Sequence, residues 1–296
     1  MKLSVNPIAV AAVAMLALAA PAHAQRDFDW SGAVAPGATL RVFTVNGTVT
    51  VRQSSGGTAR IHAETQNASS GDEIRYVTAR SGGDVRVCAV RGDATCDDNG
   101  VHSGRGTAWR NRRAKGNFTV EVPRGVVVRV SSGNGDVTVD GATADVHASS
   151  GNGDVRVGTG AAQVRVSTGN GAVMVDGARG PVNASSGNGR VAVTTSNGPV
   201  SASTGNGRIE VALASLRGAG DMSFSSGNGP VVLTLPADFS ADVEASTGNG
   251  GFQSDFPLRV VGRMSSHRVS GTIGQGGRRL HISTGNGSIT LRRAGT

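Results

Sequence analysis

The chain has 296 residues, with 45 glycines, only 3% aromatic residues and a formal net charge of +8 carried almost entirely by arginine. So few aromatics exclude a thick conventional core, and glycine at this level without a collagen period ordinarily signals low complexity. The length allows one large domain or two small ones, and the basic balance fits either a polyanionic partner or a solvated arginine surface.

At the N-terminus, Lys2 precedes an apolar run over residues 7–20, and Ala22-His23-Ala24 then stands before Gln25 as a small-x-small cleavage site. Residues 1–24 therefore read as a secretory signal peptide. The run is too short and too rich in alanine to span a bilayer. No cysteine follows the cleavage site, so no lipid anchor is expected there. The expected location is outside the cytoplasm: periplasmic, outer-surface or extracellular.

Residues 25–130 form an irregular N-terminal β-repeat region. Residues 40–52 alternate apolar and polar around Asn46-Gly47, and residues 58–64, 74–78 and 84–88 are further strand candidates. Cys88 and Cys96 are the two cysteines. In an oxidising compartment they are expected to pair as a structural disulfide stapling a hairpin around Gly92 and Asp93. Arg91-Gly92-Asp93 inside that loop spells an integrin tripeptide, which coincidence explains in so Gly- and Arg-rich a chain. Residues 97–116 break the pattern and read as an exposed loop. There, Arg105, Arg110, Arg112, Arg113 and Lys115 surround Trp109, a combination that can hold a polyanion by charge and stacking. The alternative is a solvated loop.

The middle of the chain is a repeat. The pentad S-[ST]-G-N-G begins at Ser131, Ser149, Ser167, Ser185 and Ser203, 18 residues apart each time, and returns at Ser225, Ser246 and Ser283 with looser spacing. A period of nine lies inside it: Val137, Val146, Val155, Val164, Val173, Val182, Val191, Val200 and Ile209. Two places after each stands Val or Ala, with mostly polar residues between. This is a strand buried on one face and wet on the other. Each 18-residue coil thus holds two short strands, with Gly-Asn-Gly at one of its two turns supplying positive-φ positions. Stacked coils place Asn134, Asn152, Asn170, Asn188 and Asn206 in a structural ladder of amides, and the pentad hydroxyls in another. The expected fold class is an all-β β-solenoid of two-strand coils over residues 131–292, one continuous domain with residues 38–130. Residues 252–282 read as an enlarged coil, and residues 280–291 as the coil that closes the array.

Phe118-Thr119-Val120-Glu121-Val122-Pro123, running into Ser131-Ser132-Gly133-Asn134-Gly135-Asp136-Val137, resembles the DUF4097 family of bacterial exported β-strand-repeat proteins. Gly274-Gln275-Gly276-Gly277, leading to Leu280-His281-Ile282 and the last pentad, does so as well. The resemblance covers most of residues 38–292. It implies a β-helix-like fold, and an adhesin role only as a label taken from architecture.

Catalytic and metal chemistry find little support. In a calcium-binding nonapeptide roll, an aspartate lies two places after the last glycine. Here Val137, Val155, Val173, Val191 and Ile209 occupy that place, while Asp136 and Asp154 lie one place earlier and give way to Ala172, Arg190 and Arg208. Such an array cannot supply the six or more oxygens a hard cation needs. There is no phosphate-loop motif, no G-x-S-x-G and no H-E-x-x-H. Asp136, Asp145 and Asp154 fall near one another, as a glycan-cleaving site would want, but two or three acids on a solenoid surface are ordinary. No cofactor and no metal are expected. The sequence reading is a non-enzymatic envelope or surface protein, adhesin-like or scaffolding, with an envelope polysaccharide, another polyanion or a surface partner as ligand. A polyanion- or polysaccharide-binding module built on loop 105–115 and on strand arginines such as Arg156 and Arg165 is the alternative, and a polysaccharide-active enzyme the third. Nucleic acid is not expected.

Overall fold

A computed structural model describes residues 27–68, 73–102, 113–195, 197–217, 220–260, 265 and 267–295. Residues 1–24, where a signal peptide is expected, and most of the arginine-rich loop lie outside these residues. The described chain is all-β: a 13-stranded front sheet, a 12-stranded back sheet and a two-stranded ribbon. Each regular coil contributes one strand to each large sheet. Val146–Asn152 lies in the front sheet and Val155–Val157 in the back, Val164–Asn170 in the front and Val173–Ala178 in the back. Neighbouring coils pair in parallel with equivalent residues in register, as in Val146 with Val164 and Val155 with Val173.

The nine-residue column therefore alternates between the two sheets and fills the space between them. Val146, Val164, Val182 and Val200 point in from the front, and Val155, Val173, Val191 and Ile209 from the back, all fully buried. Each such side chain stabilises the fold by roughly 1.5–3 kcal/mol, and no coil can bury its own without a neighbour. One apolar core runs without a break from Val34 to Leu291.

The coils do not stack in chain order at either end. In the front sheet Thr39–Asn46 pairs with both Val127–Asn134 and Asp84–Arg91, so the first coil is wedged between later ones. At the other end, Arg279–Asn286 sits between Met222–Asn228 and Ala241–Asn249. The last coil in sequence is thus interior, correcting the expectation that residues 280–291 close the array. Antiparallel strands close it instead. At one end are Asp27–Ala33 with Thr58–Gln66, and Ile74–Ser81 with Asp84–Arg91. At the other are Leu258–Val260 and Arg268–Ile273, against Ala241–Asn249. The turned-back strands end the parallel ladder, which would otherwise invite pairing with another chain, except at the far edge of the back sheet, where the three-residue strand Phe252–Ser254 pairs in parallel with Ile289–Arg293.

The scarce aromatics gather at these ends. At the N-terminal end Phe28 stacks on Tyr76, with ring centroids 5.1 Å apart, and Tyr76 meets Phe118 edge-to-face at 5.7 Å. Phe239 and Phe256 meet at 6.2 Å at the other, where Arg278 and Arg293 cover their faces. The regular coils are filled by Val and Ala, and Phe224, between Ala202 and Ile282, is a ring taken into the stack away from its ends; a terminal coil has in addition one open face to plug.

The pentad differs from its expected roles in two respects. Its asparagines do not take positive φ; among the described non-glycine residues only Asn67 does. The final glycine does, at +149° in Gly153 and +150° in Gly171. The second hydroxyl of the pentad does not form a ladder with its own kind. It turns inward, is buried, and donates to the final glycine carbonyl of the adjacent coil: Ser150 to Gly135 at 2.9 Å, Thr168 to Gly153 at 2.8 Å and Ser186 to Gly171 at 2.9 Å. Thr168→Val keeps the side chain's shape and removes this donor. It should cost about 1–2 kcal/mol, read as a lower urea midpoint with an unchanged slope. An unchanged midpoint would mean that the hydroxyl is not needed to satisfy the corner.

Candidate functional site

The asparagine side chains form one continuous ladder on the outside of the corner. Each Nδ2 donates to the Oδ1 of its neighbour, in the spatial order Asn46, Asn134, Asn152, Asn170, Asn188, Asn206, Asn228, Asn286 and Asn249, at 2.6–2.8 Å. The regular pentads place Asn134 to Asn206 in it, and the two displaced end coils add Asn249 and Asn286. With both amide ends used along the stack, this edge is a structural spine.

Asp136 and Asp154 lie beside it. Asp136 Oδ1 accepts the Asp154 backbone N–H at 2.8 Å, and Asp154 Oδ1 accepts that of Ala172 at 2.7 Å. These acids fasten one coil to the next. Among the described residues, no group of three or more His, Cys, Asp or Glu side chains is placed to hold a metal ion.

The arginines singled out from sequence separate in space. Arg105, Trp109, Arg110 and Arg112 lie outside the described residues. Arg113 is exposed, and Lys115 opens the back-sheet strand Lys115–Val122 opposite Gln66. Arg156 is on the back face, where its guanidinium meets the Met174 sulfur, whereas Arg165 is on the front face. Arg91 donates from Nη2 to the Ala114 carbonyl at 3.1 Å, so that arginine of the tripeptide is held by its own chain.

Cys88 and Cys96 form a disulfide, but not across a hairpin. Cys88 belongs to the front-sheet strand Asp84–Arg91, and Cys96 to the ribbon strand Thr95–Asp97, which pairs with Gly100–His102. In Asp84–Arg91 the side chains of Val85, Val87 and Ala89 enter the main core. Cys88 and Val90 face outward into a second small core with Phe43, covered by Ala94, Cys96 and Val101. The disulfide thus clamps the ribbon onto the outside of the front sheet. Asp97 stiffens the ribbon by accepting from His102 at 2.9 Å and from the Asn99 N–H at 2.8 Å. These two bonds, the His102 one first, lower its carboxyl pKa. At the ribbon tip Asp98 pairs with Arg86.

The ribbon forms one wall of a groove of about 490 Å³ on the front face. Its floor is two outward columns running along the stack. One is serine: Ser131, Ser149, Ser167, Ser185 and Ser203. The other is cationic where the groove begins. Arg129, His147 and Arg165 are register partners on three successive strands, about 4.8 Å apart by strand spacing. The column extends backwards through Arg41 to Arg86, but those two are neutralised, Arg41 by Asp84 at 2.8 Å and Arg86 by Asp98. Beyond Arg165 it becomes Asn183 and Ser201. Arg129 and Arg165 have no acidic partner among the described residues. His147, half-buried between them, is held below the usual imidazole pKa, first by burial and then by the two guanidiniums, with Asp145 opposing weakly.

Sequence reading missed this column because 18-residue periodicity alone does not say which outward residues are already paired. The alternation did place Arg165 and His147 on an outward face. What it lacked was Arg129 as their neighbour and the ribbon as a wall.

Residues 39–292 match the model of a family described as Toastrack DUF4097. Among solved structures, a "putative adhesin" from Bacteroides fragilis is 14% identical, with a TM-score of 0.37, covering 90% of this chain and 97% of that one. One of the same description from Parabacteroides merdae is 9% identical, with a TM-score of 0.38 and the same coverage. A "putative cell adhesion protein" from Clostridium sporogenes is 10% identical, with a TM-score of 0.29, covering 90% of this chain and all of that one. A comparison with curated proteins finds no match.

Proposed function

From the premise that this chain belongs to the Toastrack DUF4097 family, we propose that it is a non-enzymatic, exported cell-envelope or surface protein of adhesin type. It holds an extended partner along the outer face of its front sheet. The observation that carries this reading is the groove, where the same two outward positions recur on successive strands beside a disulfide-clamped wall. A rigid stack of equivalent positions suits a polymer better than a compact small molecule. Export is supported by the signal-peptide pattern of residues 1–24 and by the disulfide, which needs an oxidising compartment. The non-enzymatic reading is supported by the groove's chemistry: among the described residues its lining is arginines, hydroxyls and one histidine, with Asp98 the lone carboxylate and already engaged by Arg86. Glycan hydrolysis would call for a carboxylate pair.

The test is an array of envelope glycans and charged polymers, probed with the purified protein at two salt concentrations. Saturable binding with the polymer recovered at full length is expected. Shortened chains would overturn the non-enzymatic reading, and no binding to any polymer at low salt would overturn the surface-binding one.

A further inference from the structure

We infer that the front-face groove is a binding site for an anionic polysaccharide, whose acidic groups sit on Arg129, His147 and Arg165 and whose hydroxyls meet the adjoining serine column. This rests on the surface-binding reading above and adds the ligand's chemistry. The cationic column spans five adjacent strands from Arg86 to Arg165, yet among the described residues acids reach only its first two members, through Asp98 and Asp84. The remaining cations stand where the groove is open. Two guanidiniums facing the same way across a single intervening strand repel each other, an arrangement relieved by an anion that bridges them. A polymer with acidic groups along its length meets several such positions at once.

The rest of the lining selects a sugar polymer over a nucleic acid. Single-stranded nucleic acid is held by aromatic platforms on which bases stack. Among the described residues that line this groove the one aromatic, Phe43, is 4% exposed and packs in the small core beneath the ribbon. In place of rings the groove offers the Ser131-to-Ser203 hydroxyls and the Asn183 amide, which exchange hydrogen bonds with glycan hydroxyls in either direction.

His147 makes the site respond to pH. The charged groups around it are Arg129 and Arg165 on the flanking strands, Asp145 just before it and Asp98 across the groove. In the empty groove burial and the two arginines favour its neutral form. A bound anion favours the charged form, so the ligand raises the His147 pKa and binding takes up a proton. Affinity therefore increases as pH falls through the bound-state pKa, and levels off below the free-state one.

The probes are heparin as the anionic glycan, dextran as a neutral one, and a single-stranded DNA of similar charge. Arg129→Gln/Arg165→Gln should weaken heparin binding on the order of ten- to a hundredfold. It should also make log affinity against log salt shallower by about two. Arg156→Gln, on the opposite face, should leave both unchanged. Thermal unfolding of the two variants should match wild type, since neither arginine of the pair holds an acid among the described residues. Wild-type heparin affinity should rise between about pH 7.5 and pH 5.5, and His147→Gln should flatten that rise. Heparin affinity unchanged in the double variant would overturn the site. Dextran bound in preference to heparin would overturn the ligand class while leaving the surface-binding reading standing. DNA preferred over heparin would overturn the polysaccharide assignment. Failure of every polymer to bind would remove both readings together.

Discussion

Gly153→Ala should destabilise the protein by about 4 kcal/mol, from roughly 1–3 kcal/mol of backbone strain and a similar cost of overpacking. Gly153 ends a pentad with φ at +149°, a conformation costly for any residue with a Cβ. An added Cβ would also collide with the Gly135 carbonyl oxygen of the adjacent coil and lie 2.6 Å from its carbon and 2.9 Å from Asp136 Oδ1. Neither neighbour can retreat: the Gly135 carbonyl accepts from Ser150, and Asp136 accepts the Asp154 N–H. Two controls separate the causes. Gly169, the first glycine of its pentad, lacks the positive φ but would bring a Cβ to 2.5 Å from the Gly151 oxygen. Gly169→Ala should cost about 1–3 kcal/mol. Gly251 has nothing within 4 Å of its added Cβ, and Gly251→Ala should stay within about 0.5 kcal/mol of wild type. Denaturant midpoints measure all three. Equal losses at Gly153 and Gly251 would refute the close approach of coils as the reason for the repeated glycines.

Phe224→Ala should cost about 3–5 kcal/mol and lower the melting temperature by roughly ten degrees. Along the front sheet, the second inward position of each coil is Ala148, Val166, Ala184 and Ala202, then Phe224 in register with Ala202 and Ile282. Phe224 has no exposed surface. Its replacement would leave a ring-sized void between two sheets that parallel pairing on both sides prevents from collapsing. Since each coil touches only its neighbours, the damage should be local. Hydrogen exchange should quicken in Ala202–Asn206 and Leu280–Asn286 before it does in Val146–Asn152. Uniform quickening along the stack would mean that the solenoid unfolds as a single unit and not coil by coil.

The repeat was legible because burial in a stack has a strict period. A residue two places along a strand returns to the same face, and a residue 18 places along returns to the same point one coil later. Val146 and Val164, or Asn152 and Asn170, had to coincide once two strands per coil were granted. The direction of the pentad's second hydroxyl was less accessible. Thr168 follows Val164 and Val166 by steps of two, so the alternation puts it inside, but a polar residue inside needs a partner. That partner, the Gly153 carbonyl, is visible only when coils are stacked. The candidate site was harder still. Arg156 and Arg165 look alike in sequence and nine residues separate them, yet nine residues is half a coil and carries them to opposite sheets.

The sequence by itself determined the all-β class, the two-strand coil, the Val column and the amide spine, because each follows from a short period acting on neighbours in the stack. Only the tertiary structure decided the order of coils at the two ends, where Thr39–Asn46 and Arg279–Asn286 are enclosed by segments distant in sequence. It also decided that Cys88 faces outward to clamp a ribbon and not across a hairpin, and that Arg41 and Arg86 take acidic partners while Arg129 and Arg165 have none among the described residues. The reason is common to all three. Periodicity fixes which face a side chain takes, but pairing and partner depend on contacts between segments that no local repeat specifies.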